Sequence, residues 1–139
     1  MSGTPVIDRE TVEMLREMDE ITEDNLMLEL IDDFLTHCAQ LVREIEECAL
    51  QDLVAKLASV SHSLKGASLN IGALVLFKVC DKIELLARNH QLNEAKTEIP
   101  HLLIAFQDTY HALTELRRRI VEGEAIDDLL SEDLIPLEY

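Results

Sequence analysis

The chain has no tryptophan, and aromatic residues make up only 4% of it, so leucine, isoleucine, alanine and glutamate set the composition, as in helical bundles. Glycine and proline are also scarce. The four glycines (Gly3, Gly66, Gly72, Gly123) are too dispersed to form a linker, and no internal repeat divides the chain. The three cysteines, Cys38, Cys48 and Cys80, are odd in number and lack CxxC spacing, which argues against a disulfide framework or a zinc knuckle. Cys38 and Cys80 lie among apolar positions and read as buried thiols acting as small apolar residues. Twelve basic residues against 28 acidic ones leave a net charge of −16. That charge repels nucleic acid, whose binding rests on Lys and Arg neutralising phosphates. It disfavours anionic membrane surfaces and suits docking on a basic partner. No apolar run approaches the length of a membrane span, about 18 residues. The N-terminal MSGTPVIDRE lacks the basic, apolar and small-residue regions of a signal peptide, so a cytoplasmic protein is expected.

What is present is helical periodicity over a length, 139 residues, that suits one compact domain. A short first helix is predicted from about Asp8, as N-cap, to Met18. Thr22 can cap a second helix whose apolar positions, Met27, Ile31, Phe34, Cys38, Leu41, Ile45 and Cys48, alternate at spacings of four and three. Asp52 can cap a third, which Gly72 would stop in the left-handed conformation at C′. A fourth runs from about Leu74 to Asn89, with Leu76, Val79, Ile83 and Leu86 inward. Asn93 can cap a fifth, with Leu102, Phe106, Leu113, Leu116 and Ile120 as its stripe and Pro100 breaking or kinking its start. Short connections make successive helices antiparallel neighbours. The expected fold is all-α: an up-down-up-down four-helix bundle with an additional short N-terminal helix. Arg117, Arg118 and Arg119, near the end of the last helix, read as complements to its dipole. The acidic, partly apolar tail over 123–139 can pack on the bundle or bind a partner, and the sequence does not choose.

The third helix carries the chemical signal. Leu53, Leu57, Val60, Leu64, Ala67 and Ile71 fall within roughly 40° of one direction at about 100° per residue, and that direction is expected to be the core. His62 lies about 180° away. Ala55, Ala58, Gly66 and Leu69 share its direction, where an ordinary solvated face would carry Glu, Lys or Gln. Small neighbours leave the imidazole standing clear, with room for a partner to close around it. Gly66 is the most telling, because a glycine inside a helix costs about 1 kcal/mol relative to alanine. It sits at i+4 from His62 and points away from the core stripe, so close helix packing explains it poorly. Lys65, at i+3, can bring three N–H donors and a positive charge to the imidazole tip. A solvent-facing imidazole is a nucleophile at neutral pH. Nothing in the chain offers a Ser–His–Asp arrangement, an HExxH motif or a phosphate-cradling glycine loop. Such a site can carry a group that a partner activates.

These residues resemble a known signature. The run His62-Ser63-Leu64-Lys65-Gly66-Ala67-Ser68, followed by Asn70-Ile71-Gly72-Ala73, is similar to the motif of histidine phosphotransfer (HPt) domains, and Cys80-Asp81-Lys82-Ile83-Glu84 resembles the helix that follows it there. The resemblance covers roughly residues 20–120. It implies a bundle over 20–122, preceded by an N-terminal segment over 1–19, in a bacterial-type protein whose initiating Met suggests a freestanding carrier. It further implies that His62 is phosphorylated, that Lys65 contacts the phosphoryl group and that Gly66 leaves room for the partner. Some family members have glutamine at the position of Glu84, near the histidine. A glutamate there would accept a hydrogen bond from an imidazole N–H and orient the ring, yet would repel a phosphoryl group. The implied partners are response-regulator receiver domains and a hybrid sensor kinase. Mg²⁺ would be held by the receiver, and this chain, a monomer, would carry no cofactor or ATP site of its own. Two other readings compete: a helical module that scaffolds or inhibits a kinase without using the histidine, and an enzyme with His62 as general base. The other histidines, His37, His90, His101 and His111, show no metal-ligand spacing to each other or to cysteine.

Overall fold

A computed structural model describes residues 6–131 of the chain. Those residues form six α-helices: α1 (Arg9–Thr22), α2 (Leu26–Leu50), α3 (Val54–Ile71), α4 (Leu74–Arg88), α5 (Leu92–Thr97) and α6 (Ile99–Glu122). A 3₁₀ turn, Asp127–Leu129, follows. Helix α2 packs on α3, α3 on α4, α4 on α6 and α6 back on α2, so the four long helices close a ring around one aliphatic core. Most of the predicted stripes are buried there, including Met27, Ile31, Phe34, Ile45, Leu57, Leu64, Ile83, Leu102, Leu113 and Leu116. All three cysteines are buried and free. Burial pushes the Cys38 thiol up to about 11, which leaves it inert at neutral pH.

The helix ends differ from the sequence reading in instructive ways. Asp8 does cap α1, accepting from the Thr11 N–H at 3.1 Å, but α1 continues to Thr22. Thr22 therefore ends α1 instead of capping α2. The N-cap of α2 is Asn25, and its first amides are satisfied by the Asp19 carboxylate, 2.7 Å from the Leu26 nitrogen. Asp52 does not cap α3: it adopts φ 57°, and Leu53 takes the N-cap position without a side-chain bond. Leu53, placed in the core stripe by its spacing, is consequently exposed beyond the end of the packed region. Asn93 lies inside α5, whose N-cap is Gln91. Pro100 falls in the first turn of α6, where a missing N–H is harmless, and the predicted fifth helix is split there in two. Gly72 ends α3 at φ 80°, and a Cβ on it would sit 2.9 Å from the Thr11 Cβ. Its carbonyl accepts from the Asp8 N–H at 2.9 Å. Glycine is thus required twice over where α1 crosses the α3–α4 turn.

The three consecutive arginines lie near the end of α6 as expected, and they also form ion pairs. Arg117 pairs with Asp32 of α2, while Arg118 and Arg119 hold Glu115, Glu124 and Asp128. Part of the acidic tail packs on the bundle. Ile126 and Leu130 are buried, Ile7 and Leu130 form an isolated β-bridge, and Arg9 reaches both the Asp127 carboxylate and the Ser131 carbonyl. The rest of the tail, 132–139, lies outside the described residues.

Candidate phosphoacceptor site on the third and fourth helices

Helix α3 packs against both α2 and α4, so it buries a wider sector than one six-residue stripe. Ala58, Ser61 and Ser68 are buried as well as Leu57, Val60, Leu64 and Ile71. This corrects one expected member of the docking face: Ala58 faces a neighbouring helix, not solvent. Ala55, Gly66 and Leu69 are exposed as expected. A Cβ built on Gly66 would meet no atom within 4 Å, so no packing contact demands glycine there.

His62 stands on the α4 side of this face, with 63% of its side chain exposed. Its Nδ1 lies 3.0 Å from Oε2 and 3.2 Å from Oε1 of Glu84 on α4. Glu84 is 7% exposed, and it is held from three directions. Lys65 Nζ approaches its Oε1 at 2.7 Å, while Nε and a terminal nitrogen of Arg88 both reach its Oε2 at 2.8 Å. Burial pushes the Glu84 carboxyl up, but hydrogen bonds from Lys65 and Arg88 outweigh it and hold the group below its ordinary range. Lys65 is pushed the other way: its bond to Glu84 raises it, burial opposes, and a bond to Asp81 at 3.3 Å adds to the rise.

The protonation pattern follows. An ionised carboxylate can only accept, so Nδ1 of His62 must donate to Glu84. The lone pair then sits on Nε2, the far ring nitrogen, and the ring orientation is fixed by a buried anchor. Lys65 uses two of its three donors on Glu84 and Asp81, so in the free protein its ammonium shares the carboxylate with the ring instead of standing at the imidazole tip. Two cations, Lys65 and Arg88, already lie on the Glu84 carboxylate and offset its negative charge. Arg88 is a site residue that the sequence alone does not single out. Its signal was the i,i+4 spacing from Glu84, with Asp81, Glu84 and Arg88 on one face of α4. Among the described residues, no cluster of His, Cys, Asp and Glu could hold a metal ion, and no helix is long and apolar enough to cross a membrane.

The site is thus an exposed, oriented imidazole on a helical bundle, backed by a neutralised carboxylate. Residues 29–131 match the Hpt domain, and the chain belongs to that family. Its structure is similar to the crystal structure of histidine-containing phosphotransfer protein B (HptB) from Pseudomonas aeruginosa PAO1, with a TM-score of 0.73 and 26% identity over 84% of this chain and 98% of that one. Comparison with curated proteins gives no match. Family and structural likeness together give the chain a role in phosphorelay phosphotransfer, as a phosphocarrier.

Proposed function

We propose that His62 accepts a phosphoryl group from the aspartate of one response-regulator receiver domain and passes it to another. The observation that carries this reading is the hydrogen bond from Nδ1 of exposed His62 to buried Glu84, which leaves Nε2 as a fixed, outward nucleophile. The Nε2 lone pair attacks phosphorus as the bond to the aspartyl oxygen breaks, and the receiver's carboxylate leaves with that electron pair. Phosphoryl transfer depends on positioning and charge neutralisation. This chain supplies the positioned ring. Lys65 supplies positive charge by turning from Asp81 toward the phosphoryl oxygens, and the receiver supplies Mg²⁺. Arg88 keeps Glu84 neutralised while Lys65 moves. Ala55, Gly66 and Leu69 form the surface on which the receiver closes. In this account the ring of long helices is the antiparallel up-down-up-down bundle, α1 is its additional N-terminal helix, and the protein is a cytoplasmic monomer that needs no ATP site. A hybrid sensor kinase stands upstream.

The test is His62→Gln. The side chain is exposed, and glutamine keeps an N–H that can donate to Glu84, so the cost should stay within about 1 kcal/mol, the net worth of one hydrogen bond. Melting should stay close to wild type, while acceptance from a phosphorylated receiver is lost. Acceptance that survives the substitution would move the acceptor to another residue.

A further inference from the structure

Glu98 joins α5 to α6, and its side chain is 11% exposed. Its Oε1 lies 3.2 Å from Nδ1 of His101, one turn into α6, and its Oε2 lies 3.3 Å from Nζ of Lys82 on α4. The His101 side chain is 64% exposed, against 63% for His62. The molecule thus holds a second exposed imidazole whose Nδ1 meets a buried carboxylate that also takes a lysine. The same consequence follows: an ionised carboxylate accepts only, so Nδ1 donates and Nε2 presents its lone pair to solvent. His101 stands in the first turn of α6, where the helix favours added negative charge. His37 has no carboxylate behind its ring: its Nδ1 donates to the backbone carbonyl of Asp33 in its own helix, so nothing there shares the charge that phosphorylation would add.

We propose that His101 is a second phosphoryl acceptor, open to small phosphoramidate-type donors and not to a docked receiver. The surroundings decide the donor class. Position i+4 from His101 is Ala105, not glycine, and at i+3 the exposed Ile104 stands where His62 has Lys65. In the reaction Nε2 attacks the phosphorus of phosphoramidate. The new N–P bond forms as the donor's P–N bond breaks, and ammonia leaves with that electron pair. The positive charge gained by the ring is shared through Nδ1–H with the Glu98 carboxylate.

The proposal does not depend on which residue a receiver labels, so it is tested with phosphoramidate alone on His62→Gln protein. That protein should take up acid-labile, alkali-stable phosphate that maps to His101. Adding His101→Gln should cut uptake at least about tenfold, and adding Glu98→Gln should slow it by up to about tenfold, the scale of one lost hydrogen bond. Adding His37→Gln should leave uptake unchanged. Melting curves confirm that each variant is folded. His101→Gln changes an exposed side chain and decides the matter even if Glu98→Gln unfolds. Absence of label on His62→Gln, or label that maps to a different residue, overturns the proposal.

Discussion

At the scale of single residues, the site depends on how one buried carboxylate is shared. Lys65 and Arg88 both hold Glu84, so each supports the fold and, on the proposed mechanism, the chemistry. Lys65→Ala should destabilise the protein by about 1.5–3 kcal/mol, the range for hydrogen bonds to charged groups. It should also slow transfer or shorten the life of the phosphorylated form. Transfer rate and lifetime both equal to wild type would remove Lys65 from the reaction. Gly66 should behave in the opposite sense. The space beside it is open, so Gly66→Ala should raise stability by up to about 1 kcal/mol through lost backbone entropy and leave transfer nearly intact. Gly66→Gln should also melt higher, since glutamine is a good helix former. Yet its side chain would stand where a receiver must close, and a small misplacement of reacting atoms can cost about a hundredfold in rate. Receiver-dependent transfer should fall strongly while phosphoramidate still labels His62. A lower melting point with normal transfer would mean that the glycine serves packing.

At the scale of elements, periodicity revealed most of the helices and little of their ends. The stripes of α2, α4 and α6 were legible because each presents one aliphatic sector to the core. Asp8 and Gly72 were legible as the caps of α1 and α3, but the start of α2 was not, because the groups that satisfy its first amides come from Asp19, seven residues earlier and in another helix. The wheel placed His62 and Gly66 on the exposed side of α3 but put Ala58 there too. A wheel assumes one buried direction, and α3 has neighbours on two sides. Arg88 escaped notice for a related reason: its importance arises only when α4 lies against α3. The C-terminal segment was undecidable in sequence because its anchors, Ile7 and Arg9, lie at the other end of the chain. Leu130 is buried in that contact, so Leu130→Ala should cost about 2–4 kcal/mol. Transfer measured well below the melting point should be unchanged, because the segment that carries Ile7 meets the bundle at Gly72, ten residues beyond His62 on α3. An unchanged melting curve would show that the segment adds nothing to the fold.

At the scale of the whole molecule, the direction of the Glu84 and Lys65 shifts sets a pH window. Glu84 titrates below its ordinary range in the folded state, so its contribution is present above the unfolded value, about 4.3, and is lost as pH falls through the depressed value. Lys65 titrates above its ordinary range, so its contribution is present below about 10.4 and is lost as pH rises through the raised value. Between neutral pH and the acid limb, wild type should therefore lose more stability than Glu84→Gln, with the two curves converging at low pH. Parallel curves would mean that the carboxylate is not held ionised. The many other acids of a chain with net charge −16 titrate in both proteins and cancel in the difference.

The central claim is that His62, oriented through Nδ1 by Glu84, is the acceptor in the relay. The most direct measurement is to incubate the full chain with a phosphorylated receiver and locate the transferred group by peptide mapping under alkaline conditions. The account predicts acid-labile, alkali-stable phosphate on His62, bonded through Nε2. Phosphate bonded to Nδ1, found on a different residue, or absent from the chain would contradict it.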